Sequence, residues 1–235
     1  GLQTQIARDF EVTDVRGQGS YMCIFPGVEL GTTVDNGPCH AGIECEFKTG
    51  GCPYYDALAE SKNEANKVIV TNYAFWFTRA KLGEYMGKVD LLVCDEAHGI
   101  LDDLSNFLTV ELQRADVERI GVKWPEYAVT MEQWIDWARS EGENGVKTVI
   151  EHLKYSAKIS GHASNREVRE IRRLEALHEK VALISTAKGR WVCKLGDRGG
   201  SLVMAPVWPG EYLEKYLFLR AKHILMTSAL SLIHI

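Results

Sequence analysis

The sequence is poor in the features that mark membrane and exported proteins. It has no run of about 18 apolar residues, which excludes a membrane-spanning helix. The first five residues, Gly-Leu-Gln-Thr-Gln, carry no charged-then-apolar export signal, so we expect an intracellular protein. Basic residues are not in excess either, since the formal net charge is −5. This charge argues against a protein that coats nucleic acid indiscriminately, but it is compatible with a local basic groove.

The hydrophobic pattern predicts an α/β fold. With 235 residues, of which 46% are hydrophobic and 25% charged, the chain is ordinary for a globular protein with a buried core. A helix is predicted over 54–67, and buried apolar strands are predicted at 68–70, 89–94 and 224–226. Helices that alternate with continuous apolar strands are typical of a parallel sheet.

Residues 103–190 are predicted to be mainly helical. A capping box at Thr130–Gln133 opens one helix with Trp134, Ile135 and Ala138 facing inward. Trp124, Trp134 and Trp137 are predicted to be packing residues of this segment. The strongest amphipathic pattern predicts a helix over 165–184. Residues 191–207 change to a hairpin pattern with a glycine-rich turn.

Four of the six cysteines lie within 30 residues of one another. They are Cys23, Cys39, Cys45 and Cys52, separated by fifteen, five and six residues. Because no export signal is present, metal ligation is favoured over disulfides. The surrounding segment, 16–53, contains eight glycines and three prolines and is poor in apolar residues. It cannot fold by core burial alone, so we expect a bound metal to hold it together.

Four thiolates suit either a [4Fe–4S] cluster or a structural zinc ion. Zinc ribbons and knuckles favour Cys-x-x-Cys pairs, and this sequence has none. The wider gaps therefore favour the cluster, with zinc and four unrelated buried thiols as the alternatives. His40, beside Cys39, is either a substitute ligand or a loop histidine. Cys94 and Cys193 lie in apolar strand patterns and are predicted to be core residues.

The motif Asp95-Glu96-Ala97-His98 directly follows the predicted strand 89–94. A carboxylate at the C-terminal end of a parallel strand faces the crevice in which open α/β sheets bind ligands. Asp95 can hold Mg²⁺ there through a water molecule, and Glu96 can orient and deprotonate an attacking water. His98 can hydrogen-bond toward the γ-phosphate or a neighbouring motif. The alternative is an acidic N-cap that opens the next helix.

Together these residues resemble the XPD/DinG-type iron–sulfur DNA helicases of superfamily 2, with their DEAH motif. The matching segments occur in the family's order. They are Leu2-Gln3-Thr4-Gln5 with Asp9-Phe10 (motif Ia), Ser20-Tyr21-Met22-Cys23 and Cys52-Pro53-Tyr54-Tyr55-Asp56-Ala57 (cluster segment), Val70-Thr71-Asn72-Tyr73 (return strand), Val93 to His98 (motif II) and Met226-Thr227-Ser228-Ala229 (motif III).

The resemblance implies a partial RecA-like parallel-sheet motor domain, interrupted by a cysteine-rich Fe–S domain and a mainly helical arch insertion. The implied divisions are 1–15 (motor), 16–66 (cluster), 67–102 (motor with motif II), 103–190 (arch) and 191–235 (motor return with motif III). Thr227 and Ser228 would couple nucleotide state to movement. The implied activity is ATP-dependent translocation on single-stranded DNA, 5′ to 3′, with unwinding of forked duplexes. Its cofactors are a [4Fe–4S] cluster and Mg²⁺, with ATP as substrate.

Two departures from the family pattern bear on activity. The sequence contains no G-x-x-x-x-G-K-[ST] phosphate-binding loop, and after Ser228-Ala229 it leaves the family's pattern and stops before a second motor domain. We therefore expect the chain to be an internal piece that alone neither hydrolyses ATP nor unwinds DNA at a useful rate. Measurable DNA-stimulated ATPase activity of the isolated chain would overturn this expectation. The implied location is the cytoplasm, with the nucleoid, or the nucleus in a eukaryote.

A pore for single-stranded DNA needs basic and aromatic side chains. The candidates are Gln5 in motif Ia, Tyr73 beside the return strand, and Arg169, Arg172 and Arg173 on the helix over 165–184. The alternatives are a solvated, ion-paired face for the arginines and core packing for the aromatic residue. Two rival functions remain: a zinc-stabilised nucleic-acid-binding module without motor activity, and a metal-dependent hydrolase that uses Asp95, Glu96 and His98 directly.

Overall fold

A computed structural model describes residues 5–6, 9–10, 12–63, 68–83, 89–126, 128–196, 199–219 and 221–228. The strands are β1 Thr13–Asp14, β2 Ile69–Val70, β3 Val89–Cys94, β4 Val110–Gln113, β5 Trp191–Leu195, β6 Ser201–Pro206 and β7 Ala221–Met226. The α-helices are α1 Pro53–Ser61, α2 Tyr73–Lys81, α3 Ile100–Leu108, α4 Arg114–Glu118, α5 Met131–Trp137, α6 Glu143–Ser160 and α7 Asn165–Ser185. No helix in these ranges is long and apolar enough to cross a membrane.

The chain divides into two compact units. The first comprises Gly1–Gly17, Pro53–Phe107 and Trp208–Ile235, and the second comprises Gln18–Cys52 and Leu108–Val207. The cysteine-rich segment and most of the predicted helical insertion therefore belong to one unit. Helix α1, assigned above to the cluster segment, lies in the first unit, and the hairpin after 190 lies in the second. The functional division into motor, cluster and arch segments stays a prediction.

The first unit contains two small parallel sheets. Strand β1 pairs with β2, and β3 pairs with β7 in a register that places Cys94 opposite Met226. The strand positions predicted at 68–70, 89–94 and 224–226 are thus confirmed. The predicted burial is confirmed for Cys94, which is 1% exposed, but it is wrong for several of the other residues. Leu91 and Val93 are 52% and 55% exposed, and Leu225 is 50% exposed. These side chains lie on one face of the β3–β7 pair, because every second residue of a strand points to the same side. No described element covers that face.

Helix α1 is shorter than the sequence predicts. It begins at Pro53, a favoured residue for the first turn of a helix, and ends at Ser61 instead of continuing to 67. Ser61 is buried, and its hydroxyl donates to the carbonyl of Leu58, which competes with continuation of the helix. Residues 64–67 lie outside the described ranges.

The second unit contains an antiparallel sheet in the order β4-β6-β5. The hairpin predicted over 191–207 is confirmed by the pairing of β5 with β6. Residues 197 and 198 of its turn lie outside the described ranges. The sequence did not predict β4, because residues 103–190 were expected to be mainly helical. Its alternating buried and exposed residues pair with β6 about ninety residues later.

The helical predictions within the second unit are confirmed. Helix α5 begins at a capping box in which Thr130 Oγ1 accepts from the Gln133 N–H, and Trp134 is fully buried. Trp134 packs edge-on against Trp124 and Trp137, with ring centroids 4.9 and 5.7 Å away. Helix α7 buries the predicted stripe of Val168, Ile171, Leu174, Leu177, Val181 and Ile184. It packs against α6 as a helical pair, and a second capping box at Ser164 opens it.

Candidate nucleotide site and cysteine segment

The DEAH residues lie in a loop at the C-terminal end of β3, next to the residues that follow β7. The Thr227 N–H donates to the carbonyl of Cys94 at 2.9 Å, and the Ala97 N–H donates to the carbonyl of Thr227 at 2.8 Å. Parallel strands end at the same edge of a sheet, so motif II and the predicted motif III residues come together there. Ala229, Leu2, Gln3 and Thr4 of the matched motifs lie outside the described residues.

Asp95 is held by two donors on one carboxylate oxygen. Thr227 Oγ1 donates to Asp95 Oδ1 at 3.1 Å, and the Glu96 N–H donates to the same oxygen at 3.0 Å. The Asp95 side chain is exposed to solvent.

Glu96 has φ 50° and ψ 43°, the left-handed conformation, and no other non-glycine residue in the described ranges has a positive φ. For a residue with a Cβ this conformation costs about 1–2 kcal/mol. Such strain persists where surrounding contacts enforce it, and it is concentrated at functional sites. Glu96 Oε2 lies 3.2 Å from His98 Nδ1, and the same nitrogen lies 2.9 Å from Ser228 Oγ. A chain of polar contacts therefore joins Glu96, His98 and Ser228.

Tyr73 lies against this loop. Its hydroxyl donates to the backbone carbonyl of Asp95 at 2.6 Å, and its ring stacks on Phe77 with centroids 6.0 Å apart. Burial raises the pKa of Tyr73, and the neighbouring Cys94 and Asp95 raise it further. The phenol therefore stays protonated and remains a hydrogen-bond donor. Sequence reasoning did not foresee this contact, because nothing in the pattern links Tyr73 to Asp95.

The four clustered cysteines all belong to the second unit, and none of them forms a disulfide. Burial raises the pKa of Cys23, and the charges of Cys45 and Cys52 raise it further. Burial also raises the pKa of Cys39, with contributions from Cys45, Cys23 and Cys52. A Cβ built on Gly37 would lie 3.1 Å from Cys23 Sγ and 3.7 Å from Cys39 Sγ.

These sulfurs do not form a single-ion site. Within the described ranges, no group of three or more His, Cys, Asp or Glu side chains lies close enough together to hold a metal ion. Four sulfurs around one zinc ion would each lie about 2.3 Å from it. Within the described residues the structure therefore shows no metal-binding arrangement of these cysteines, and the [4Fe–4S] cluster stays a prediction.

The cysteine segment is anchored on the α6–α7 helical pair. Ala41 is fully buried in a core cluster with Ala157, Ala163, Val168 and Ile171. The expectation that this segment depends on metal alone is therefore incomplete, since part of its hydrophobic core is supplied by residues more than 110 positions later. The sequence did not predict this contact, because alanine gives only a weak hydrophobic signal.

A polar network reinforces the anchor. Glu175 accepts from Lys154 Nζ at 2.6 Å on Oε1 and from Arg172 Nη1 at 3.1 Å on Oε2. His40 Nδ1 lies 3.9 Å from the same Oε2 atom. Burial lowers the pKa of His40, and Arg172 lowers it further. His40 Nε2 is buried and has no hydrogen-bond partner in the described part of the chain.

The arginines proposed for DNA are mostly ion-paired. Arg172 bonds to Glu175, and Arg173 bonds to both Glu170 and Asp116, as the alternative of a paired face predicts. Arg169 is more open: its side chain is 69% exposed and lies 3.8 Å from Glu29. Arg169 also lines an open cleft of about 370 Å³ together with residues 29–33, Asn36 and Asn165. Gln5 is exposed in a helical stretch.

Comparison with known proteins gives little direct guidance. The sequence matches no protein-family model and no curated protein. One of the solved structures that it matches is described as an XPD helicase, with a TM-score of 0.47 and 16% sequence identity over 95% of this chain and 47% of that chain. The chain therefore spans about half the length of that structure. A likeness at this level does not establish a shared activity, so any function has to be argued from the site.

Proposed function

We propose that this chain forms part of an ATP-dependent DNA helicase, in which Asp95, Glu96 and His98 belong to the hydrolytic site. The observation that carries the proposal is the junction of two parallel strand ends, where Thr227 bonds to Asp95 and Ser228 bonds to His98. Carboxylates at such an edge face the position of a nucleotide in open α/β sheets. Asp95 would hold Mg²⁺ through water, and Glu96 would orient the attacking water and accept its proton.

Thr227 and Ser228 would couple this chemistry to movement. They follow β7, whereas the acidic residues follow β3, so a shift at either strand end changes the hydrogen bonds of the other. His98 would report the state of Glu96 to Ser228 through its Nδ1 atom. This activity also needs a phosphate-binding loop, and these 235 residues contain no G-x-x-x-x-G-K-[ST] sequence.

Cys23, Cys39, Cys45 and Cys52 would hold a [4Fe–4S] cluster. Two observations support this assignment: the four cysteines belong to one unit, and a Cβ at Gly37 would lie within 3.7 Å of the sulfurs of both Cys23 and Cys39. When bound, the cluster supplies four iron–thiolate bonds that fix a segment with few apolar residues of its own. The alternative of a zinc-stabilised nucleic-acid-binding module would use the same cysteines without motor activity.

Single-stranded and forked DNA are the proposed nucleic-acid partners, with translocation from 5′ to 3′. Among the predicted contact residues, Arg169 is the best supported, because it is exposed and lines a cleft with polar neighbours. Arg172 and Arg173 would have to leave their ion pairs to bind phosphates, so we give them no direct role.

Hydrolysis is tested in the full-length polypeptide by measuring ATP turnover with and without single-stranded DNA. We expect Glu96→Gln to abolish DNA-stimulated turnover, because the amide cannot accept a proton from water. Asp90→Asn is the matched control: it removes an exposed carboxylate on the same strand that bonds to Lys222. Equal turnover in Glu96→Gln and the wild type would reject the proposed motor function.

The cluster is tested by purifying the chain without oxygen, recording its visible spectrum, and counting iron and sulfide. We expect iron–sulfur absorption that disappears in Cys39→Ser and persists in Cys193→Ser, since Cys193 lies on β5 outside the segment. Stoichiometric zinc without a chromophore would instead support the zinc-stabilised module.

A further inference from the structure

The hydroxyl of Tyr73 donates a hydrogen bond to the backbone of the loop that carries Asp95, Glu96 and His98. Tyr73 is the first residue of α2, and its N-cap residue Asn72 accepts a hydrogen bond from the Phe75 N–H at 2.8 Å. Its ring stacks on Phe77, which is fully buried. The cap and the ring contact together fix the phenol, and its hydroxyl donates to the carbonyl of Asp95 at 2.6 Å.

The Asp95 carbonyl that accepts this hydrogen bond belongs to the peptide between Asp95 and Glu96. The N–H of that same peptide donates to Asp95 Oδ1 at 3.0 Å. One peptide plane is therefore held at both of its polar atoms, by the Tyr73 hydroxyl on one side and by the Asp95 carboxylate on the other. Rotation of this plane would change ψ of Asp95 and φ of Glu96 together, and so would redirect both acidic side chains.

The conformation of Glu96 makes this restraint necessary. Glu96 adopts the left-handed region, which residues with a Cβ avoid unless neighbouring contacts enforce it. Without a donor on the Asp95 carbonyl, the peptide is free to rotate toward an unstrained geometry. The Asp95 carboxylate would then lose the Glu96 N–H as a donor, although Thr227 would still bond to it.

We propose that Tyr73 is a positioning residue of the hydrolytic site, which fixes the Asp95–Glu96 peptide and thereby aims both carboxylates. This inference rests on the proposed hydrolysis of ATP and replaces the sequence-based assignment of Tyr73 as a nucleic-acid contact. The hydroxyl is engaged with a backbone carbonyl, so the role belongs to the O–H group and not to the ring. The ring supports the geometry through Phe77.

Tyr73→Phe isolates the hydroxyl because the ring and its stacking remain. The first measurement is hydrogen exchange in the chain itself. We expect the amides of Glu96 and Ala97 to exchange at least about tenfold faster in the variant, the effect of one lost restraint, while the amides within β3 are unchanged. Tyr155→Phe is the matched control, since Tyr155 is 67% exposed on α6. Unchanged exchange at Glu96 and Ala97 would overturn the proposal.

The second measurement is ATP turnover in the full-length polypeptide, with Glu96→Gln assayed in parallel. We expect Tyr73→Phe to lower kcat about tenfold or more, because a misdirected Glu96 orients the attacking water less well and stabilises the transition state less. KM should change less, because Thr227 still bonds to Asp95, the residue assigned to Mg²⁺. If Glu96→Gln is inactive and Tyr73→Phe equals the wild type, the positioning role is rejected and the proposed function stands. If Glu96→Gln retains activity, the proposed function fails, and the exchange result alone decides whether Tyr73 fixes the peptide.

Discussion

Gly37 leaves no room for a side chain beside Cys23. A Cβ at position 37 would lie 3.1 Å from Cys23 Sγ and 3.2 Å from the carbonyl oxygen of Val34, and both distances are tighter than ordinary contacts. The backbone of Gly37, with φ −71° and ψ 152°, is one that any residue adopts. Glycine is therefore required here by space and not by conformation.

We expect Gly37→Ala to lower the iron content of anaerobically purified protein several-fold. The methyl group would crowd the sulfur of Cys23, while the favourable φ removes backbone strain as an explanation. Gly17→Ala is the matched control, because a Cβ there would meet nothing within 4 Å. Wild-type iron content in Gly37→Ala would contradict a role for Cys23 in holding the iron.

Glu175 should contribute to stability in a pH-dependent way. Burial alone would raise its pKa, but hydrogen bonds and charges from Lys154 and Arg172 together lower it below the usual value, with His40 facing it from the cysteine segment. A depressed carboxylate pKa stabilises the folded state above the unfolded value of about 4.3. That contribution is lost as the pH falls through the lower folded pKa.

Glu175→Gln should therefore lower the melting temperature at pH 7, with a difference from the wild type that narrows as the pH falls below about 4. Thermal unfolding followed across this range measures the effect. Glu151→Gln is the control. Glu151 is 67% exposed, and its carboxylate lies as far as 3.9 Å from Lys147 Nζ, so this surface ion pair contributes little to stability. A constant difference at every pH would show that Glu175 acts through packing instead of charge.

Under the proposed function, Thr227→Val should slow ATP hydrolysis by about tenfold to a hundredfold. The substitution removes the hydroxyl donor to Asp95 Oδ1, and a hydrogen bond to a charged group is worth about 1.5–3 kcal/mol. Thr227→Ser keeps the hydroxyl and should retain most of the activity. Steady-state ATPase rates compare the three proteins, and the prediction fails if the valine and serine variants are equally active.

Trp134→Ala should lower the free energy of unfolding by about 3–5 kcal/mol, because it removes a fully buried side chain that contacts two other tryptophans. Urea denaturation followed by circular dichroism measures the change. Trp208→Ala is the comparison, since Trp208 is 58% exposed, and it should change the free energy by less than about 1 kcal/mol. A mild effect at Trp134 would contradict its place in the core.

The sequence predicted those features that depend on neighbouring residues. The helix at Asn165–Ser185 and the capping box at Thr130 follow from local spacing, and both are confirmed. Burial of Leu91 and Val93 was predicted wrongly, because an apolar strand does not specify which elements cover it. Strand β4 was missed because its partner β6 lies far along the chain.

The same limit applies to the candidate site. The order Asp95-Glu96-Ala97-His98 and the pair Thr227-Ser228 could be predicted as separate motifs, but their hydrogen bonds span more than 125 residues. The contact of Tyr73 with Asp95 leaves no sequence pattern at all. Only the folded chain brings these groups together, so the sequence alone does not give their distances and hydrogen bonds.

The burial of Ala41 among residues of α6 and α7 has a practical consequence for protein engineering. Residues 18–52 cannot be excised or transplanted as a self-contained cassette, because removal would open a void between two helices that begin more than 90 residues later. A shortened version of this protein would have to refill that space with a small apolar side chain before its helices could be expected to remain paired.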